Sequence, residues 1–164
     1  MAKTPPVGIL VGSDSDLDVM RNATATLEEL GVGYELSVAS AHRTPARVRT
    51  YAEEAAGRGV KVIICGAGMA AHLGGAVAAV TELPVIGVPM PGGVSDGLDA
   101  LLSTVQMPAG VPVATVAVGK AGAVNAALLA ARILALQDEK LLSRLRDYRE
   151  KMAAAVEAKE ADAG

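Results

Sequence analysis

Tyr34-Glu35-Leu36-Ser37-Val38-Ala39, followed at once by Ser40-Ala41-His42-Arg43-Thr44-Pro45, decides how this chain folds. In the first six residues Leu36 and Val38 fall on one face of an extended chain, and Glu35 and Ser37 on the other, which is the alternation of a β-strand. Thr44 can cap the free N–H groups of a first helical turn. Pro45 suits the first helical position, where its missing N–H has no intrahelical partner. His42 and Arg43 are thereby placed in a strand-to-helix loop, the kind of loop that carries chemistry in α/β proteins.

The same handover recurs on both sides. Val7 to Val11 is an apolar strand leading through Gly12-Ser13-Asp14-Ser15-Asp16 into a helical pattern of Leu17, Met20, Ala23 and Leu27 that stops at Leu30-Gly31. The helix opened by Pro45 runs to Gly57 or Gly59. Lys61 to Cys65 forms a third strand and enters Gly66-Ala67-Gly68-Met69-Ala70-Ala71-His72-Leu73-Gly74-Gly75, a loop and helix start of small residues. Val85 to Val88 is the fourth strand, followed by Pro89 to Gly93 and a helix from Asp96 to Val105. Val111 to Val118 is the fifth, with Pro112 at its entrance. Ala121 to Leu136 is apolar nearly all round, a helix buried on most sides and a candidate for burial between subunits. Residues 138–160 read as a charged helix with one apolar stripe of Leu141, Leu142, Leu145 and Tyr148.

Strands alternating with helices predict a parallel sheet covered on both faces. The expected fold is a flavodoxin-like three-layer α/β/α sandwich, five strands in order 2-1-3-4-5, with an extra C-terminal helix. The chain of 164 residues reads as a single domain, its core over about 7–136 and the last helix over about 138–160. In that order the switch point lies between the first and third strands, so the loops Gly12 to Asp16, Ser40 to Thr44 and Gly66 to Gly74 border one cleft.

Composition narrows the function. The chain is 51% hydrophobic with three Tyr, no Phe and no Trp, so its core rests on Val, Ile, Leu, Met and Ala, and apolar helix faces are expected to meet in a homo-oligomer. A net charge of -3 with scattered basic residues argues against a nucleic-acid partner, as does the lack of aromatic stacking platforms. Met-Ala-Lys-Thr-Pro-Pro at the start lacks the apolar core of a signal peptide, and no apolar run is of membrane-spanning length. With Cys65 as the one cysteine, a cytoplasmic protein is expected.

Within the cleft, Ser13, Ser15, Ser40 and Arg43 have the donors for a phosphate monoester, since hydroxyls, helix-start amides and a guanidinium all favour such an anion. Asp16 would repel a phosphate but can accept hydrogen bonds from a ribose diol. Serving only the turn is the other reading of Ser13, Asp14 and Ser15. His42 is the candidate acid/base, because imidazole both takes and gives a proton near neutral pH. His72 is a weaker candidate that can also cap or pack at the third helix start. Gly66 and Gly68 let a flat ring lie against the backbone. Gly66-x-Gly68-x-x-Ala71 partly matches a dinucleotide fingerprint, but after the wrong strand. A receiver domain lacks its aspartate after the third strand. A flavodoxin would want more aromatics around its flavin, and Cys65 in an apolar strand reads as core rather than as a nucleophile.

Four stretches together resemble the N5-carboxyaminoimidazole ribonucleotide mutase family of purine biosynthesis: Gly12 to Asp16, Ser40 to Pro45, Gly66 to Leu73, and Val105-Gln106-Met107-Pro108. The likeness runs in order from Val7 to about Leu145. It implies a homo-octamer with sites between subunits, a phosphoribosyl aminoimidazole substrate and no metal or organic cofactor. By that resemblance Ser13, Asp16 and Arg43 are substrate-binding positions, with Ser40 beside the phosphate, Asp16 at the ribose and His42 as general acid/base. Gly68, His72 and Leu73 fall where ring and carboxylate contacts are expected. Arg43 after His42 resembles the mutases, whereas related carboxylases tend to have lysine there. Pro91-Gly92-Gly93-Val94-Ser95-Asp96 departs from the family's Ser/Lys/Ala-rich stretch. A sensor that binds a phosphoribosyl ligand without chemistry stays open beside the enzyme.

Overall fold

The computed structural model describes residues 5–161, so the reading of Met1 to Thr4 lies outside it. Five parallel strands, β1 (Val7–Val11), β2 (Tyr34–Val38), β3 (Val62–Ala67), β4 (Val85–Pro89) and β5 (Ala114–Thr115), form one sheet in the order β2-β1-β3-β4-β5. The helices are α1 (Leu17–Glu29), α2 (Pro45–Arg58), α3 (Leu73–Ala78), α4 (Leu98–Val105), α5 (Gly119–Ala135) and α6 (Glu139–Ala161). This is the expected flavodoxin-like sandwich with its added C-terminal helix.

Strand periodicity sorts the helices between the faces. Ile9, Val11, Val62 and Ile64 point to one side and are buried with Met20 and Leu27 of α1 and with Ala123, Ala127, Ala130 and Ala131 of α5. Leu10, Ile63 and Cys65 point to the other, against Val48 and Ala52 of α2, Leu73 and Val77 of α3, and Ala100 of α4. Each fully buried Ile or Leu contributes about 1.5–3 kcal/mol. Close packing leaves little slack: a Cβ on Gly66 would lie 2.6 Å from Met90 Cε and 3.0 Å from Met20 Sδ.

Helix α5 finds its cover inside its own chain. Its alanine face lies on the sheet and α1, while Leu128, Leu129, Ile133 and Leu134 are half-buried. The expectation that subunit contacts bury this helix is thus not needed for most of its surface. The stripe on α6 also packs inward, with Leu141 buried, Leu142, Leu145 and Tyr148 beside the core, and Arg144 Nε donating to Leu30 O at 2.6 Å.

Three local readings need correction. The fifth strand spans Ala114–Thr115 rather than Val111 to Val118: Pro112 has no N–H to give and the strand lies at the sheet edge, although Val116 N still donates to Gly87 O at 3.1 Å. The fourth helix starts at Leu98, not Asp96, because Gly97 at φ 101 separates it from a short 3₁₀ turn over Val94–Asp96. Thr44 does not cap α2; its hydroxyl is turned back onto Ser40. Pro45 does open the helix and Gly59, at φ 110, ends it.

Candidate active site

The carboxyl ends of β1, β2, β3 and β4 are tied together beyond the ladders. Gly12 N donates to Gly66 O (2.9 Å), Ala39 N to Val11 O (2.8 Å) and Met90 N to Ala67 O (2.9 Å). The loops that follow therefore start from one rigid edge and enclose a cleft of about 590 Å³. Ser13, Ser15 and Asp16 line it from the first loop, Ser40, His42 and Arg43 from the second, and Gly68, His72 and Leu73 from the third. Ser13, Ser15, Asp16, Ser40, His42, Arg43, Gly68, His72 and Leu73 are all in that lining, although Leu73 is 1% exposed and its side chain belongs to the core; Gly66, expected to let a ring lie against the backbone, is instead buried beneath Met90 and Met20.

The second loop is closed by its own polar groups. Thr44 Oγ1 donates to Ser40 O (3.0 Å) and accepts from Ser40 N (2.9 Å), and Arg43 N donates to Ser40 Oγ (3.2 Å). The Arg43 guanidinium donates through Nη2 to Gly12 O at 3.0 Å, joining this loop to the first and placing a fixed positive charge beside Ser13 and Ser40. In the first loop Ser13 Oγ donates to Asp14 Oδ1 (3.0 Å) and accepts weakly from Ser15 N (3.4 Å), so the turn-forming reading of these residues holds as well. Asp16 is half-buried, and burial raises its carboxyl above the usual range; hydrogen bonding to Ser15 and the Ser13 backbone opposes this, as does Arg43.

His42 and His72 meet across the cleft. Their Nε2 and Nδ1 atoms are 2.6 Å apart, with ring planes at 76°. One nitrogen must donate and the other accept, so the pair holds at most one extra proton in this arrangement. His72 stands at the start of α3 but makes no side-chain capping bond. Both rings are exposed to the cleft, where a ligand can reach them. Cys65, by contrast, is 2% exposed and its thiol is pushed up to about 12 by burial, which removes it as a nucleophile.

Sequence reasoning left out the far wall, where Met90, Pro91 and Gly93 line the cleft; Met69, on the third loop already expected there, lines it too and has a φ of 52. Over Pro91 to Gly97 the chain takes positive φ at Gly92, Gly93, Ser95, Asp96 and Gly97, held by Asp96 Oδ1 accepting from Gly92 N (2.9 Å) and Asp99 Oδ2 from Val94 N (3.0 Å). The glycines and aspartates of that stretch were the available signal.

A doubly wound α/β domain whose switch-point cleft combines a histidine pair, one arginine and several hydroxyls is built for a small anionic metabolite. The AIR carboxylase family profile matches residues 6–155, and the chain belongs to that family. The N5-carboxyaminoimidazole ribonucleotide mutase of Bacillus subtilis is 59% identical over 146 residues, covering 89% of this chain and 90% of that protein. The mutase of Mycobacterium tuberculosis is 56% identical over 158 residues, covering 96% and 90%. The phosphoribosylaminoimidazole carboxylase of Schizosaccharomyces pombe is 55% identical over 150 residues, 92% of this chain but 27% of that longer protein. Among solved structures, Treponema denticola PurE superposes with a TM-score of 0.86 at 30% identity, covering 95% of this chain and 96% of that one.

Proposed function

We propose that this chain is a mutase of purine biosynthesis, converting N5-carboxyaminoimidazole ribonucleotide to its C4-carboxylated isomer. The observation that carries the reaction is the His42–His72 pair, 2.6 Å apart, in the cleft that also holds Arg43. Arg43 and the hydroxyls of Ser13 and Ser40 bind the phosphate, Asp16 accepts from the ribose diol, and the ring lies along Gly68 and His72. Decarboxylation at the exocyclic nitrogen leaves that nitrogen in need of a proton, which His42 supplies. The freed carbon dioxide bonds to C4, and the C4 proton returns to His42, so one imidazole balances both steps without a cofactor. Recapture needs a closed cleft.

Closure is the role we assign to assembly. On α4 Leu98, Leu102 and Val105 are about half exposed along one face, and Val94 and Met69 nearby are 67% and 68% exposed. A homo-octamer that covers this face would wall off the cleft beside it. A cytoplasmic location is part of the same proposal, resting on the purine-biosynthesis role; among the described residues no helix is long and apolar enough to cross a membrane.

The test is an ultraviolet assay for the C4-carboxylated product from fresh N5-carboxyaminoimidazole ribonucleotide without added bicarbonate. Prompt product establishes the mutase. The 55% identity to a carboxylase favours one other reading, in which product forms only from aminoimidazole ribonucleotide with high bicarbonate. Binding of either ribonucleotide with no product makes the chain a sensor.

A further inference from the structure

Ser103 does not touch the cleft, yet it is fastened to the loop that carries His72. It lies on the second turn of α4, and Ala71 N donates to its Oγ at 2.9 Å. The one hydroxyl proton has three acceptors in reach, Met69 O (3.2 Å), Asp99 O (2.9 Å) and Ala100 O (3.2 Å). A helical serine bonding back to its own helix is commonplace. Receiving a backbone N–H from a segment 32 positions away is not, and Ala71 is only 1% exposed, so water cannot readily replace this acceptor.

The segment so held is under conformational demand. Met69 sits at φ 52, in the left-handed region that a side chain disfavours, and nothing in its own residue type selects that geometry. Three residues on, His72 N donates to Ala70 O at 2.8 Å, so the orientation of the Met69–Ala71 turn fixes the backbone of His72 directly. His72 then meets His42 edge-on. Gly68 and the alanines have no polar side chains with which to close the turn themselves.

We infer that Ser103 is a positioning residue for the histidine pair: its hydroxyl clamps the Met69–Ala71 turn, and through that turn sets His72 against His42. For its kinetic consequence the inference rests on the proposed mutase reaction. Arg43, Ser40 and Asp16 stand on the other two loops and lie outside the clamp, so losing it should disturb the proton step more than substrate binding.

The experiment compares wild-type protein with Ser103→Ala and Ser103→Thr. Ser103→Ala is expected to lower kcat by about 10- to 100-fold with KM within about twofold, the size of effect that a misplacement near an ångström produces. Ser103→Thr keeps a hydroxyl and should recover most of kcat. Acylation of imidazole by diethyl pyrocarbonate gives a reading independent of turnover, because the chain has two histidines. Located by mass spectrometry, the rates at His42 and His72 should rise several-fold in Ser103→Ala and return in Ser103→Thr. Unchanged kcat, or acylation rates equal to wild type, would overturn the clamp. If Ser103→Ala does not fold, Ser103→Cys, similar in size and a poor hydrogen-bond partner, takes the same two readings. An inactive wild-type protein would instead remove the mutase reading, and the acylation rates would still decide the clamp.

Discussion

His42 and His72 stand 2.6 Å apart on loops held by opposite means. The Ser40–Thr44 loop closes on itself through hydrogen bonds spanning three or four residues, and apart from the His42–His72 contact reaches outside through Arg43 to Gly12. The Gly66–Ala71 loop has no polar side chain of its own and depends on Ser103, more than thirty positions away. A loop that closes itself keeps its shape whatever its neighbours do, which suits the proton-carrying role proposed for His42. A loop held from a helix follows that helix, and α4 bears the most exposed apolar face bordering the site.

The sharpest break of this contrast is to remove each imidazole in turn. His42→Asn should keep substrate binding and lower kcat by about 10²- to 10⁴-fold, the range for loss of a proton carrier. His72→Asn should cost roughly ten times less, since it orients and polarises the carrier. Single-turnover kinetics with isothermal titration of substrate reads both. A larger loss at His72 would exchange the two roles.

Next in size is Arg43→Ala. Its guanidinium contacts Gly12 O and is the fixed cation beside Ser13 and Ser40. A hydrogen bond to a charged group is worth about 1.5–3 kcal/mol, so KM should rise roughly 10- to 100-fold with a smaller change in kcat. Equal falls in kcat and kcat/KM would mean that Arg43 serves the transition state alone.

This difference between the loops is also why one was legible and the other was not. Ser40, His42, Arg43, Thr44 and Pro45 are contiguous, and strand alternation before them with a proline after them fixes where they lie. The sheet order follows from the alternation of strands and helices. Ser103 is one more serine in a helix, and no local pattern reveals that its partner is Ala71. Thr44 shows the limit even within a legible stretch: capping and loop closure ask for the same residue type, and only the geometry separates them. The edge strand at Ala114–Thr115 was overread for a similar reason, since apolar composition marks Val111 to Val118 as extended but says nothing of pairing.

Thr44→Val tests self-closure by itself. It keeps the side-chain shape and deletes the hydroxyl that both accepts from Ser40 N and donates to Ser40 O. Because the residue is exposed, water takes over part of this, and the expected loss of stability is about 0.5–1.5 kcal/mol, read from the urea midpoint. No loss would mean that Arg43 and the adjoining strand are enough to hold the loop.

The smallest effect should come from Asp16→Asn, and it runs in opposite directions for stability and for binding. Burial raises the carboxyl's pKa in the folded state, so the fold favours the protonated form. Relative to the unfolded chain, wild-type stability is then fully present below the ordinary carboxylate pKa and declines as pH rises through the raised folded value. Asparagine has no proton to lose. The variant should therefore gain on wild type at pH 7, by less than about 1 kcal/mol because the group is only half-buried, and the gain should vanish near pH 3. Ribose binding should weaken at the same time, raising KM severalfold. Urea midpoints for both proteins at the two pH values decide it: a variant less stable than wild type at pH 7 would mean that the hydrogen bonding to Ser15 and the Ser13 backbone outweighs burial, and that the first loop, like the second, is held chiefly by its own side chains.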